Sequence, residues 1–267
     1  MMPQTPLVPR RLRVRVALTA LLGSLALSQA ADAQTRREGQ TRFSGQQTED
    51  IERIIRDYLL EHPELIFEAM QIYQKRQQLA HEQRQREAIA AEASSLHGAP
   101  GDPVLGAPDG DVLLVEFFDY RCPYCRAVAD VVRETVAEDG NVRLVMKELP
   151  IMGPQSVQAA RAALSAHRQD PDKYEAFHFA LMTTEVDLTD EQIQQIARGV
   201  GLDLERLEGQ MQNPEIDETI DRTYTLAREL GISGTPAFVI GTTLVSGVVD
   251  EARLKRLISE ARDNASR

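Results

Sequence analysis

A chain of 267 residues, 42% hydrophobic and 27% charged, has room for a full-sized core and an accessory segment, and its composition excludes a disordered polymer. Lys+Arg 30 against Asp+Glu 41 gives a formal charge of −11, which argues against nucleic-acid binding through a general basic surface. The chain holds only two cysteines, too few and too close together for a disulfide-stapled scaffold.

Residues 1–33 read as an export signal. Arg10, Arg11, Arg13 and Arg15 form a cationic segment, Val16 to Leu27 a short apolar stretch, and Ala31 and Ala33 an A-x-A pattern that places cleavage before Gln34. The apolar stretch is short for a membrane span, and a retained N-terminal anchor is the alternative. Cleavage would leave 26 Lys+Arg against 40 Asp+Glu, a charge of −14.

Residues 34–47 are polar and aperiodic, the composition of a flexible leader. Ile51, Ile54, Ile55, Tyr58 and Leu59 then recur at helical spacing, with Thr48 as the expected N-cap. Pro63 ends that helix and suits the first turn of the next. From Glu64 to about Ser94 good helix formers dominate, and Leu65, Ile66, Met70, Tyr73, Leu79 and Ala80 give a stripe near heptad spacing. The segment 48–96 is therefore a helical unit. Residues 97–110, with four Gly and three Pro, have the composition of a linker and place a domain boundary near residue 100.

Beyond it, Val112–Phe118 is a nearly continuous apolar run, the signature of a buried strand. A helix is expected from Cys122–Pro123 to about Glu138, closed by Gly140, and a second buried strand over Val142–Met146. Residues 155–230 read as helices, one of them capped by Thr189. Two short strands, Ala237–Ile240 and Thr243–Val249, and a helix over Glu251–Ala261 complete the 111–265 domain.

The chemistry-bearing run is Phe117-Phe118-Asp119-Tyr120-Arg121-Cys122-Pro123-Tyr124-Cys125-Arg126. A buried strand delivers Cys122 to a helix N-terminus, where free N–H groups and the dipole favour its thiolate; Arg121 and Arg126 flank it. Cys125 follows one turn later, placed to attack a mixed disulfide on Cys122. A C-x-x-C can also be half a zinc site, but no second pair exists and His62, His81, His97, His167 and His178 show no ligand spacing. Copper capture by the dithiol is a further alternative. No cofactor or resident metal is expected.

Together with the downstream Gly234-Thr235-Pro236-Ala237-Phe238, this run resembles the DsbA-like thiol–disulfide interchange family of the thioredoxin superfamily. The strand and helix order fits an α/β thioredoxin-like fold with a helical insertion. The resemblance implies a cis Pro236 facing the cysteines, with Thr235 pairing to an extended client and Pro123 and Tyr124 contacting it. Tyr120 and Tyr124 are expected as surface aromatics lining the groove, simple packing being the alternative. The resemblance also implies that an acid on the first buried strand moves protons beneath the buried cysteine, with a nearby lysine assisting. Glu116 and Lys147 are the residues expected in those positions, the alternative for Glu116 being an edge carboxylate in solvent.

The run IERIIRDYLLEHPELIFEAM resembles the leader of ScsC-type oligomeric members. A periplasmic disulfide isomerase or reductase is the leading expectation, with a homo-oligomer (a trimer before a dimer), exported client proteins and a membrane redox partner. A DsbA-type oxidase, a copper-stress thiol-binding protein and a non-catalytic chaperone are the alternatives.

Overall fold

The computed structural model describes residues 43–184 and 187–266. The expected export segment 1–33, and residues 34–42 of the leader, lie outside the described residues. Two compact units meet at Tyr73–Gln74. Among the described residues no helix is long and apolar enough to cross a membrane.

In the first unit, α1 (Gly45–Glu61) starts earlier than Thr48. Ser44 is its N-cap: the Ser44 hydroxyl accepts from the Gln47 amide and the Gln47 side chain accepts from the Ser44 amide, a reciprocal capping box. The last residues of the expected leader are thus helical. The His62 amide bonds the Tyr58 carbonyl, and Pro63 separates α1 from α2 (Glu64–Ala91). No residue of α1 is buried, and Ile54, Ile55, Tyr58, Ile66, Phe67, Met70 and Tyr73 are all exposed in the single chain.

In the second unit, the end of α2 buries Ile89, and the short α3 (Ala93–Leu96) buries Leu96. The Gly/Pro-rich stretch 97–110 is not a free linker, which corrects the boundary expected near residue 100. It contains β1 (Val104–Gly106), paired antiparallel with β3 (Val142–Glu148). Gly106 adopts φ +70°, and a Cβ there would lie 2.5 Å from the Val142 carbonyl oxygen, so strand and sheet can approach this closely only at glycine. The Arg143 guanidinium donates to the carbonyls of His97 and Pro108, and the buried Asp102 pairs with Lys147.

β2 (Val112–Phe118) leads to α4 (Pro123–Asp139), which Gly140 ends in the left-handed conformation as the sequence predicts. After β3 come the inserted helices α5 (Pro154–Gln169), α6 (Pro171–Thr183), α7 (Asp190–Gly199, capped by Thr189), α8 (Leu204–Met211) and α9 (Pro214–Glu229). β4 (Ala237–Ile240), β5 (Thr243–Ser246) and α10 (Glu251–Ala265) follow. The sheet order is β1-β3-β2-β4-β5, with β2 parallel to β3 and antiparallel to β4.

Because successive strand residues face opposite sides, each strand feeds two cores. Leu114 and Phe118 of β2 join Leu144 and Met146 of β3, Val128 and Val132 of α4, and Phe177 and Leu181 of α6 in the first. Val115, Phe117 and Val145 join Ile89, Leu96, Leu226 and Leu230 in the second. The dithiol belongs to the first core.

Candidate active site

β2 ends at Phe118 and a three-residue turn delivers Cys122 as the N-cap of α4, with Pro123 in its first turn. Proline suits that place, where an N–H would lack a helical partner. Asp119 builds the turn. Its carbonyl accepts from the Cys122 amide at 3.0 Å, and its carboxylate accepts from the amides of Arg121 and Met152 at 2.8 and 2.9 Å. The Arg121 guanidinium donates to the Met152 carbonyl, and the Arg126 Nε to the Tyr120 carbonyl. Both flanking arginines thus clasp the turn's surroundings.

The thiols of Cys122 and Cys125 are free and buried, 4% and 0% exposed. The Cys122 Sγ donates to the Thr235 carbonyl at 3.3 Å, and the Thr235–Pro236 bond is cis. The Pro236 carbonyl accepts from the Gly247 amide at 2.8 Å, holding the 247–248 corner beside the proline loop. Burial pushes the Cys125 thiol well up, and the neighbouring Cys122 acts in the same direction; bonds from the Asp119 backbone and Thr235 oppose it. Tyr124, Ile151, Met152 and Val248 are exposed, on the segments that the Asp119, Arg121 and Pro236 bonds draw to the site.

Glu116 is inside, 3% exposed, and desolvation pushes its carboxyl up to about 8. It lies between Leu114 and Phe118 on the face that carries the first core, as does Cys125. Lys147 does not join it. Lys147 sits opposite Phe117 in the β2–β3 register, on the other face of the sheet. There its ammonium donates to the Asp102 carboxylate at 2.5 Å and the Ser95 carbonyl at 2.8 Å. The parity of the strand decides this: one residue separates opposite faces. Tyr120 is also corrected. It is 1% exposed, not a groove aromatic, whereas Tyr124 is 61% exposed.

Sequence reasoning missed the partners of Tyr120. Its hydroxyl donates to the Glu148 carboxyl at 3.1 Å and lies 2.9 Å from His178 Nδ1. The signal was there: Glu148 has the parity of Val142, Leu144 and Met146, but ending the strand at Met146 hid it. Among the described residues no group of three or more His, Cys, Asp or Glu is gathered as for a metal ion.

A sheet that presents a C-x-x-C at a helix N-terminus, faced by the carbonyl of the residue before a cis proline, defines a thioredoxin-like dithiol protein. The chain belongs to the family of the DSBA-like thioredoxin domain, whose model matches residues 113–259, and residues 47–80 match the Copper resistance protein ScsC N-terminal domain. It is therefore a thiol–disulfide oxidoreductase of DsbA/ScsC type. A thioredoxin-like oxidoreductase from Silicibacter pomeroyi is 48% identical, covering 63% of this chain and 96% of its own, with a TM-score of 0.61. ScsC of Proteus mirabilis in a transitional conformation is 29% identical over 84% of this chain and 98% of its own, with a TM-score of 0.62. The probable disulfide bond formation protein D of Bacillus anthracis is 27% identical over 58% of this chain and 76% of its own length.

Proposed function

We propose that the protein exchanges disulfides with exported client proteins in the periplasm, as an isomerase or reductase kept reduced by a membrane partner. One observation carries the exchange chemistry: the Cys122 Sγ at the N-terminus of α4, 3.3 Å from the Thr235 carbonyl of the proline loop. Cys122, presented at the N-terminus of α4 beside the proline loop, attacks a client disulfide and forms a mixed disulfide. The client strand lies along Thr235 and Pro236, against Pro123 and Tyr124. Cys125 then loses its proton to Glu116 and attacks the Cys122 sulfur, releasing the client thiolate.

In cells, Cys125→Ser should accumulate mixed disulfides with clients and Cys122→Ser should not; equal trapping by both would reject the assignment. The isomerase or reductase direction rests on the ScsC-type helices, whose exposed apolar faces suit association of several copies around a shared client. A DsbA-type oxidase role predicts instead that Cys122 and Cys125 are disulfide-bonded in freshly lysed cells. The match to a domain named for copper resistance supports a second reading, Cu(I) held on the two thiolates. Under it, both Cys→Ser variants would lose copper tolerance while neither trapped clients.

A further inference from the structure

Beyond Glu116, a second set of ionisable side chains is sealed on the same side of the sheet. Glu148 ends β3 and is 2% exposed; Tyr174 and His178 of α6 are 0% and 2% exposed. With the Tyr120 hydroxyl donating to Glu148 Oε1, the Tyr120 oxygen is left to accept from His178 Nδ1, which calls for the Nδ1-protonated tautomer. Burial holds His178 near 3, so it supplies no cation. Two atoms, Glu148 Oε2 and the Tyr174 hydroxyl, are sealed from solvent and make no hydrogen bond of good geometry, although Tyr174 lies near enough to act on the Glu148 carboxyl. A carboxylate with an orphaned oxygen in a dry core is costly, whereas a carboxylic acid there is a neutral donor.

Glu116 lies opposite Met146 and Phe118 opposite Glu148, so the two acids are diagonal neighbours on one face of adjacent strands. The groups facing Glu148 are Glu116 on β2, Asp119 and Tyr120 on the turn, and Tyr174 and His178 on α6. Asp119 is occupied by two backbone amides, and Lys147 is on the opposite face. With neither histidine nor lysine as counter-ion, a charge on one of two acids so placed disfavours a charge on the other.

We propose that Glu148 is the second proton-holding residue of the exchange reaction, forming with Glu116 a buried two-carboxyl pair that alternates between one proton and two. This rests on the reading of Glu116 as proton acceptor for Cys125. In the resolving step the Cys125 thiol gives its proton to the singly protonated pair, which becomes neutral. The Cys125 sulfur bonds to the Cys122 sulfur, and the bond from Cys122 to the client sulfur breaks. The client leaves as a thiolate carrying the electron pair of that bond, so the client is reduced and the dithiol oxidised. The pair then returns one proton to solvent. Either carboxyl can hold the single charge, and the pair titrates as a unit.

The test is single-turnover release of a peptide from a preformed mixed disulfide on Cys122, followed from pH 5 to 9. It compares the wild-type chain with Glu116→Gln, Glu148→Gln and the double variant. Since either site can ionise, loss of one removes only its share of the singly charged pair; for equal sites each single variant releases about twofold more slowly at pH 6. The midpoint rises in both, and only the double variant loses the pH-dependent branch. Tyr120→Phe, which removes the donor to the Glu148 carboxylate, should slow release at pH 6 in the same direction, and it serves should Glu148→Gln fail to fold. A Glu148→Gln profile (or, in its place, a Tyr120→Phe profile) superimposable on wild type, with Glu116→Gln already flat, overturns the proposal and leaves the Glu116 reading standing. A Glu116→Gln profile equal to wild type instead sinks the Glu116 reading, and the pair with it.

Discussion

Desolvation sets the chemistry of Glu116 before any client arrives. Its carboxyl is pushed up to about 8, so the folded protein holds a proton there that the unfolded chain, near 4.5, gives up. The contribution to stability is fully present below 4.5 and is lost as pH rises to 8, at about 1.4 kcal/mol per pH unit. Urea titrations from pH 5 to 9 should show that decline in wild type and a flatter curve in Glu116→Gln, which should be the more stable of the two at pH 8. Parallel curves would mean that Glu116 is not desolvated. His178 acts oppositely: held near 3, it costs stability only as pH falls below 6.5. Glu116 was legible in the sequence because a charge interrupts an apolar run six residues before Cys122. Tyr120 and Lys147 were not, because a side chain's face depends on the strand's register and on where the turn begins, and neither is written in composition. Glu148 became visible only once β3 ran two residues past Met146.

Among the elements, the strongest local signals were read correctly: the β2 run, the proline start and glycine stop of α4, and the Thr189 cap of α7. The weakest was β1, three residues inside a stretch whose glycines and prolines read as a hinge. What makes it a strand is non-local: its pairing with β3 and the burial of Asp102 against Lys147. This attachment predicts its own energetics. The two side chains are 3% and 4% exposed, and removing one partner strands a buried charge. Asp102→Ala should lower unfolding free energy by about 3–5 kcal/mol, read as a shift of the urea midpoint at unchanged slope. A loss below about 1 kcal/mol, the worth of a surface pair, would show that the clasp is solvated and that 97–110 behaves as the hinge its composition implies.

At the scale of the whole molecule, the open question is what covers α1 and the start of α2. No residue of α1 is buried, yet Ile54, Ile55, Tyr58, Phe67, Met70 and Tyr73 are each more than half exposed. Isolated exposed apolar side chains are ordinary, but a run of them along two consecutive helices marks an interaction face. A second copy of this chain is the occupant we propose, since a helical stripe that repeats near heptad spacing is self-complementary. The fold also decides how to test it. A cut at residue 98, which the linker-like composition invites, would remove Ile89 and Leu96 from the second core and the Ser95 carbonyl from Lys147. The cut belongs at Tyr73, where the two compact units meet. The chain from residue 34 should sediment as an oligomer, and the chain from residue 74 as a monomer with intact dithiol exchange. Refolding of a scrambled disulfide substrate needs repeated attack on one client, and several Cys122 sites around a shared space supply it at high effective concentration. That activity should therefore fall in the truncated form while reduction of a small disulfide does not. Met70→Asp, which places a charge in the stripe and leaves the catalytic fold untouched, should reproduce both effects. A chain from residue 34 that remains a monomer at micromolar concentration rules the association out.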